Sequence, residues 1–152
     1  MKLAVESKPA FASKAYKYTV SDSSVAAVSS NGEITAKKIG KCVVTVTSKV
    51  DPSVKTKVTV KVLPAAVSSV ETVYASKKAV NIKWSSVEGA AGYEVYILRG
   101  GEKKLLFTTG KTSGKVSGLA SKTEYTIFVR AYADVGSAKY RSAYCKAVIK
   151  TK

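Results

Sequence analysis

The sequence predicts an all-β protein made of two tandem Ig-like β-sandwiches. Apolar and polar residues alternate along most of the chain, turn signals recur between the short apolar segments, and no stretch has the stripe of an amphipathic helix. Hydrophobic residues make up 45% of the 152 residues, which suffices for two modest cores. The whole chain is therefore expected to fold.

The first half is predicted to form a series of short strands. The segments KLAVESK and YKYTVS alternate, the Asn31-Gly32 pair supplies a tight turn, and EITAKK follows it. After a break at Gly40, the segments KCVVTVTS and VKTKVTVKV are joined through Asp51-Pro52. Short strands separated by turns are typical of a sandwich.

A boundary is predicted at Leu63-Pro64, because proline restricts the residue before it and cannot continue a strand ladder. We assign residues 1–63 to the first domain, 64–66 to a short linker and 67–152 to the second domain. The second domain has seven strand candidates, SVETVYAS, AVNIKWSS, GYEVYILR, KKLLFTT, GKVSG, EYTIFVRAYA and SAYCKAVIKT. Gly100-Gly101 makes RGGEKK a hairpin turn and not a phosphate-binding loop, since no helix follows it.

The stretch from Ser21 to Ser48, SDSSVAAVSSNGEITAKKIGKCVVTVTS, closely resembles the bacterial Ig-like group 2 (BIG2) family. Gly32 would then take the positive φ of a turn. The residues expected to face inward are Val25, Val28, Ile34, Ala36, Cys42, Val44 and Val46. The family normally begins with one more strand before the segment that KLAVESK resembles, so we expect the first domain to be cut short. An unpaired edge would open that domain to a strand-mediated dimer.

The second half is similar to fibronectin type III modules, especially those of secreted Gram-positive bacterial proteins. Trp84 at the end of VNIKW matches the buried tryptophan of that family, and Leu119 with Tyr125 matches its leucine and tyrosine-corner pattern. The resemblance implies that the Tyr125 hydroxyl bonds back to the backbone. The implied core is Val80, Ile82, Trp84, Tyr93, Val95, Ile97, Tyr125, Ile127 and Val129.

The chain is strongly basic, with 26 Lys plus Arg against 10 Asp plus Glu and a formal net charge of +16. Such a surface attracts polyanions, so the candidate partners are nucleic acid, anionic cell-wall polymers, acidic glycans and membrane headgroups. The family resemblance adds a host surface protein to these candidates. Arg99, Arg130 and Arg141 are the only arginines, which disfavours specific nucleic-acid recognition because arginine is the residue suited to reading base edges. The alternative is that the lysines form a solvated face that discourages aggregation.

No set of residues suited to catalysis, a cofactor or a metal is recognised, and the chain is predicted not to be an enzyme. It contains no histidine, which removes Ser-His-Asp, Cys-His and His-based metal sites. Asp22, Asp51 and Asp134 are predicted to lie in separate loops, without the acidic cluster that calcium needs. Cys42 and Cys145 are interpreted as small buried hydrophobes, with a disulfide between the domains as the less favoured alternative.

Three aromatic residues, Tyr96, Phe128 and Tyr132, fall on the strand face opposite the core set. Exposed rings beside lysines can form a sugar-stacking or protein-binding surface. The favoured alternative is that these rings fill cross-strand pairs on a β surface.

Together these features predict a non-catalytic pair of extracellular modules, acting as spacer and adhesion or binding unit of a larger bacterial cell-surface or secreted protein. The rival prediction is a pair of accessory carbohydrate-binding modules in a secreted glycoside hydrolase. The first residues, MKLAVESKPAF, have no apolar run of the length that a signal peptide needs, and no stretch of the sequence is expected to insert into a membrane. An exported parent protein is therefore expected to contain it as an internal fragment.

Overall fold

The computed structural model describes residues 15–152, and all regular structure within that range is β-strand. The predicted all-β fold class is confirmed. The described residues divide into two compact units, with the boundary between Val62 and Leu63. The segment KLAVESK lies outside the described residues, as does the expected truncation beside it.

Five strands make up the described part of the first unit: β1 (Tyr16–Val20), β2 (Ala26–Val28), β3 (Ile34–Ala36), β4 (Gly40–Ser48) and β5 (Lys55–Val62). An antiparallel sheet has the order β1-β4-β5, and β2 pairs with β3. Both sheets contribute to one core, whose buried members within residues 15–62 are Val25, Ala26, Ile34, Cys42, Val44 and Val60.

The BIG2-like pattern folds largely as its residues predict. Gly32 has a φ of +80°, a conformation that glycine adopts without steric cost. Alternation along β4 buries Cys42, Val44 and Val46, as expected. Ala36 was predicted to face inward and is exposed instead, because β3 ends at this residue and the alternation of buried and exposed side chains ends with it.

Eight strands make up the second unit: β6 (Val70–Ala75), β7 (Ala79–Trp84), β8 (Gly92–Arg99), β9 (Glu102–Thr109), β10 (Ser113–Ser117), β11 (Glu124–Val135), β12 (Ala138–Arg141) and β13 (Cys145–Lys150). One sheet has the order β10-β7-β6. The other has the order β12-β11-β8-β9, with β13 also pairing with β11.

The prediction of seven strands in this unit is one too few. β11 continues to Val135, turns at Gly136 and returns as β12, where the sequence interpretation had placed a loop. Asp134 therefore lies in a strand, and its carboxylate is 2.9 Å from Lys139 Nζ on β12. The loop was predicted from Gly136 and Ser137, but these two residues form only the turn of a hairpin, and the residues on either side of them pair as strands.

The core implied by the fibronectin resemblance is confirmed. Its members are buried apart from Tyr125, which is half-buried at the edge of the cluster. The Tyr125 hydroxyl accepts a hydrogen bond from the Ala120 backbone N–H at 2.8 Å, which is the expected tyrosine corner. Gly100 and Gly101 both have positive φ and form the two-residue turn between β8 and β9.

Candidate functional site

The larger sheet of the second unit carries an aromatic and charged surface on the side away from the core. Alternation on β8 buries Val95 and Ile97 and turns Glu94 and Tyr96 to the other side. The register places Phe128 of β11 opposite Tyr96 and places Arg130 opposite Glu94. We call this surface the outer face; its residues are Glu94, Tyr96, Lys103, Phe128, Arg130, Tyr132, Lys139, Arg141, Tyr144 and Lys146.

Glu94 is the centre of a hydrogen-bonded network on the outer face. Only 8% of its side chain is exposed. Arg130 Nε donates to Glu94 Oε2 at 2.7 Å, and Arg141 Nε lies 3.1 Å from Oε1. The Tyr96 hydroxyl donates to Oε2 at 2.8 Å and accepts from Arg130 Nη2 at 2.6 Å. One carboxylate is thus shared between two guanidinium groups from different strands.

This network changes the acidity of its members. Burial alone would raise the pKa of Glu94, but the hydrogen bonds from Tyr96, Arg130 and Arg141 outweigh it and hold the pKa below its ordinary value of 4.5. Burial and the hydrogen bond that Tyr96 donates to Glu94 raise the pKa of Tyr96 to about 12. At neutral pH the network therefore contains an ionised Glu94 and a neutral Tyr96.

Tyr96 and Phe128 form a ring cluster with Tyr144, which lies between β12 and β13. The Tyr144 ring meets Tyr96 edge-on at 5.4 Å between centroids and meets Phe128 at 5.8 Å. Cations lie over these rings: the Arg130 guanidinium is 5.0 Å from the Tyr96 centroid, and Lys103 Nζ is 4.7 Å from the Phe128 centroid. These distances are within the range of cation–π attraction.

Tyr132 lies apart from this cluster and covers Gly92, its neighbour across β8 and β11. A Cβ atom on Gly92 would be 2.7 Å from the Tyr132 hydroxyl oxygen. Lys139 Nζ lies 3.6 Å from the Tyr132 ring centroid. The structure therefore places Tyr96, Phe128 and Tyr132 on one side of one sheet, but brings only the first two into a common cluster.

Sequence reasoning missed Glu94, Arg130 and Tyr144 as members of this surface. Alternation could have placed two of them on the outward side. Glu94 precedes the inward Val95, and Tyr144 precedes Cys145, whose side chain was predicted to face inward. The pairing register was needed for the rest, because it alone sets Arg130 against Glu94, 36 residues away in the chain.

The remaining chemical groups are placed separately. Cys42 is buried and Cys145 is half-buried; both are free thiols, and burial raises the pKa of Cys42. Across residues 15–152, no group of three or more Cys, Asp and Glu side chains is arranged to hold a metal ion. Within the same range, no helix is long and apolar enough to span a membrane.

Comparison with known families decides the identity of the first unit. Residues 1–60 match the family described as bacterial Ig-like domain (group 2). The first unit is a BIG2 domain. The chain also has a relative in the tail tube protein gp17.1* of Bacillus phage SPP1, which is 42% identical over 60 residues. The match covers 40% of this chain and 22% of the phage protein, so the chain spans less than a quarter of that relative.

The unit that follows the BIG2 domain has the fibronectin type III fold. The crystal structure of FN3tt matches 59% of this chain and 96% of its own length, with a TM-score of 0.52 at 24% identity. A segment of two fibronectin type III domains from chicken tenascin matches 90% of this chain and 83% of its own length, with a TM-score of 0.57 at 13% identity. At these identities the likeness concerns the fold. We call this second unit the fibronectin-like domain.

Proposed function

We propose that this chain is a non-catalytic pair of extracellular modules that spaces and attaches a larger bacterial cell-surface or secreted protein. The observation that carries the proposal is the match of residues 1–60 to the BIG2 family, next to a unit with the fibronectin type III fold. Folds of this kind host many functions, so the role must come from a surface rather than from the fold. The outer face of the fibronectin-like domain is the surface that best fits a role in attachment.

The outer face favours attachment through charge over stacking on neutral sugars. Sugar stacking needs an open aromatic ring, but Phe128 lies under Lys103, Tyr96 under Arg130 and Tyr132 under Lys139. A neutral sugar would have to displace these cations. The accessory carbohydrate-binding role predicted as the rival therefore has less support than attachment to an anionic surface.

The test is cosedimentation of the purified chain with Gram-positive bacterial cell envelopes at an ionic strength of about 0.15 M. We expect the chain to pellet with the envelopes and to release no soluble fragments from them. The control is an unrelated β-sandwich with the same net charge, which reports non-specific attraction. Equal pelleting of chain and control, or no pelleting of the chain, would contradict the proposal.

A further inference from the structure

We propose that the outer face of the fibronectin-like domain binds a linear polymer with repeating anionic groups, phosphate or carboxylate, through Lys103, Arg141 and Lys146. This inference rests on the proposed attachment function, and it names the ligand class and the residues. A carbohydrate or polyol backbone that carries such anions has the required chemistry.

The first argument is that the positive charge of the outer face is only partly compensated. Glu94 is the single carboxylate shared by Arg130 and Arg141. Arg141 reaches it through Nε, while 42% of the Arg141 side chain is exposed. Among the described residues its two terminal nitrogens have no partner. A guanidinium with free terminal N–H groups suits a bidentate contact with phosphate or carboxylate.

The second argument is that Lys103 is positioned without being neutralised. Its Nζ is 4.7 Å from the Phe128 centroid and 5.2 Å from the Tyr144 centroid. Within residues 15–152, no carboxylate forms an ion pair with Lys103. Three other lysines of this domain do have a carboxylate partner: Lys83 pairs with Glu71, Lys139 with Asp134 and Lys150 with Glu124. The rings therefore hold Lys103 in place and leave its charge available to a ligand.

The third argument is the spread of these cations across the sheet. Lys103 is on β9, Arg141 on β12 and Lys146 on β13, and the exposed Lys146 lies opposite Phe128. From β9 to β13 the backbone crosses three inter-strand spacings, about 14 Å in all, and the Lys103 side chain covers part of that distance by reaching over Phe128 on β11. Because the three cations come from three different strands, a flexible chain with several anions can contact each of them in turn.

Nucleic acid fits the outer face less well than an anionic glycopolymer. Proteins bind single-stranded nucleic acid through a basic groove combined with open aromatic rings on which the bases stack. On the outer face the rings of Tyr96 and Phe128 each already carry a cation. Repeating anions need no open ring, so the glycopolymer is the ligand that the contacts favour.

The experiment compares two double variants with equal charge change. Lys103→Glu with Lys146→Glu alters the outer face, while Lys78→Glu with Lys115→Glu alters exposed lysines outside it. The probes are poly(glycerol phosphate), polygalacturonate, neutral dextran and single-stranded DNA, titrated across a range of salt concentrations. Circular dichroism checks that each variant is folded.

We expect one or both anionic polymers to bind and dextran not to bind. The outer-face variant should weaken binding by about tenfold and reduce the slope of log affinity against log salt by about two. The Lys78 and Lys115 variant should weaken binding by about threefold or less, because it removes only long-range attraction. Which polymer binds identifies the anion.

Three outcomes would overturn the inference: equal weakening by the two variants, absence of binding to both anionic polymers, or tighter binding to DNA. Cosedimentation with envelopes separates this inference from the proposed function. If the outer-face variant still pellets like the unmodified chain, attachment stands and the outer face is not its site. If the unmodified chain fails to pellet, the attachment function itself is wrong.

Discussion

Glu94 shows how a charged residue can be buried on the outward side of a β-sheet. A carboxylate removed from water destabilises the fold unless hydrogen bonds and opposite charges compensate it. Here Tyr96 and two arginines supply both. Because Glu94 is on β8, Arg130 on β11 and Arg141 on β12, the network also ties three strands together.

Replacing Glu94 by Gln should lower the free energy of unfolding by about 2 kcal/mol, since Arg130 and Arg141 would lose their shared counter-charge. Urea unfolding followed by Trp84 fluorescence measures the change. Glu71→Gln is the matched control: Glu71 pairs with Lys83 on the surface, where both side chains are more than half exposed. That change should cost about 0.5 kcal/mol or less. Equal losses in the two variants would contradict the role given to Glu94.

The same residue predicts a pH dependence with a defined sign. The pKa of Glu94 is lower in the folded protein than its ordinary value of 4.5. Its contribution to stability is therefore complete above that value and is lost as the pH falls through the lower, folded pKa. The stability difference between the unmodified chain and Glu94→Gln should shrink as the pH is lowered from 7 towards 3. A difference that stays constant over this range would show that Glu94 does not carry the effect.

At the scale of strands, β11 organises the fibronectin-like domain. Its 12 residues pair with β8 on one edge, and with β13 and then β12 on the other. The close approach of Tyr132 to Gly92 is a consequence of this pairing, because the two residues are direct partners across β11 and β8. A glycine in a strand often marks a site where another group approaches closely.

Gly92→Ala should destabilise the fibronectin-like domain by about 1–3 kcal/mol through overpacking. The new Cβ would lie 2.7 Å from the Tyr132 hydroxyl oxygen and 2.9 Å from the Thr109 carbonyl oxygen, and that carbonyl belongs to the backbone and cannot rotate away. Gly110→Ala is the control, because a Cβ there meets nothing within 4 Å. Thermal unfolding of the two variants measures the difference. If Gly92→Ala is as stable as Gly110→Ala, the prediction is wrong, and the Tyr132 side chain can move away from the new Cβ atom without cost.

At the scale of the whole molecule, the hydrophobic cores of the two domains share no residue among residues 15–152. The BIG2 core is built around Cys42 and Val44, and the fibronectin-like core around Ile82, Val95 and Ile127. Trp84 is the single tryptophan of the sequence and belongs to the second core. Tryptophan fluorescence therefore reports the fibronectin-like domain, whereas far-UV circular dichroism reports both domains.

Val44→Ala should destabilise the BIG2 domain by about 2 kcal/mol, because it removes two methyl groups from a fully buried site. The unfolding transition of that domain, followed by circular dichroism, should move to a lower urea concentration. The transition followed by Trp84 fluorescence should stay at the same urea concentration. Val54→Ala, at a side chain that is 60% exposed, is the control and should move neither. A shift of the Trp84 transition by Val44→Ala would show that the two cores unfold as one.

Much of the fold could be predicted from the sequence because its signals are local. Alternation identified the buried side of β4, β7 and β8, and the glycines at positions 32, 100 and 101 marked turns that need positive φ. The same local rules failed at Ala36, whose exposure depends on where β3 ends, and at β12, whose existence depends on pairing with β11.

The sequence by itself determined the fold class, most of the buried residues and the outward position of Tyr96, Phe128 and Tyr132, because all of these follow from the two-residue period of a strand. Only the tertiary structure decided which outward residues meet. The register of β8 with β11 pairs Arg130 with Glu94, and the return of the chain through β12 brings Arg141 to the same carboxylate. Strand register and chain return join residues far apart in sequence, so no local pattern contains them.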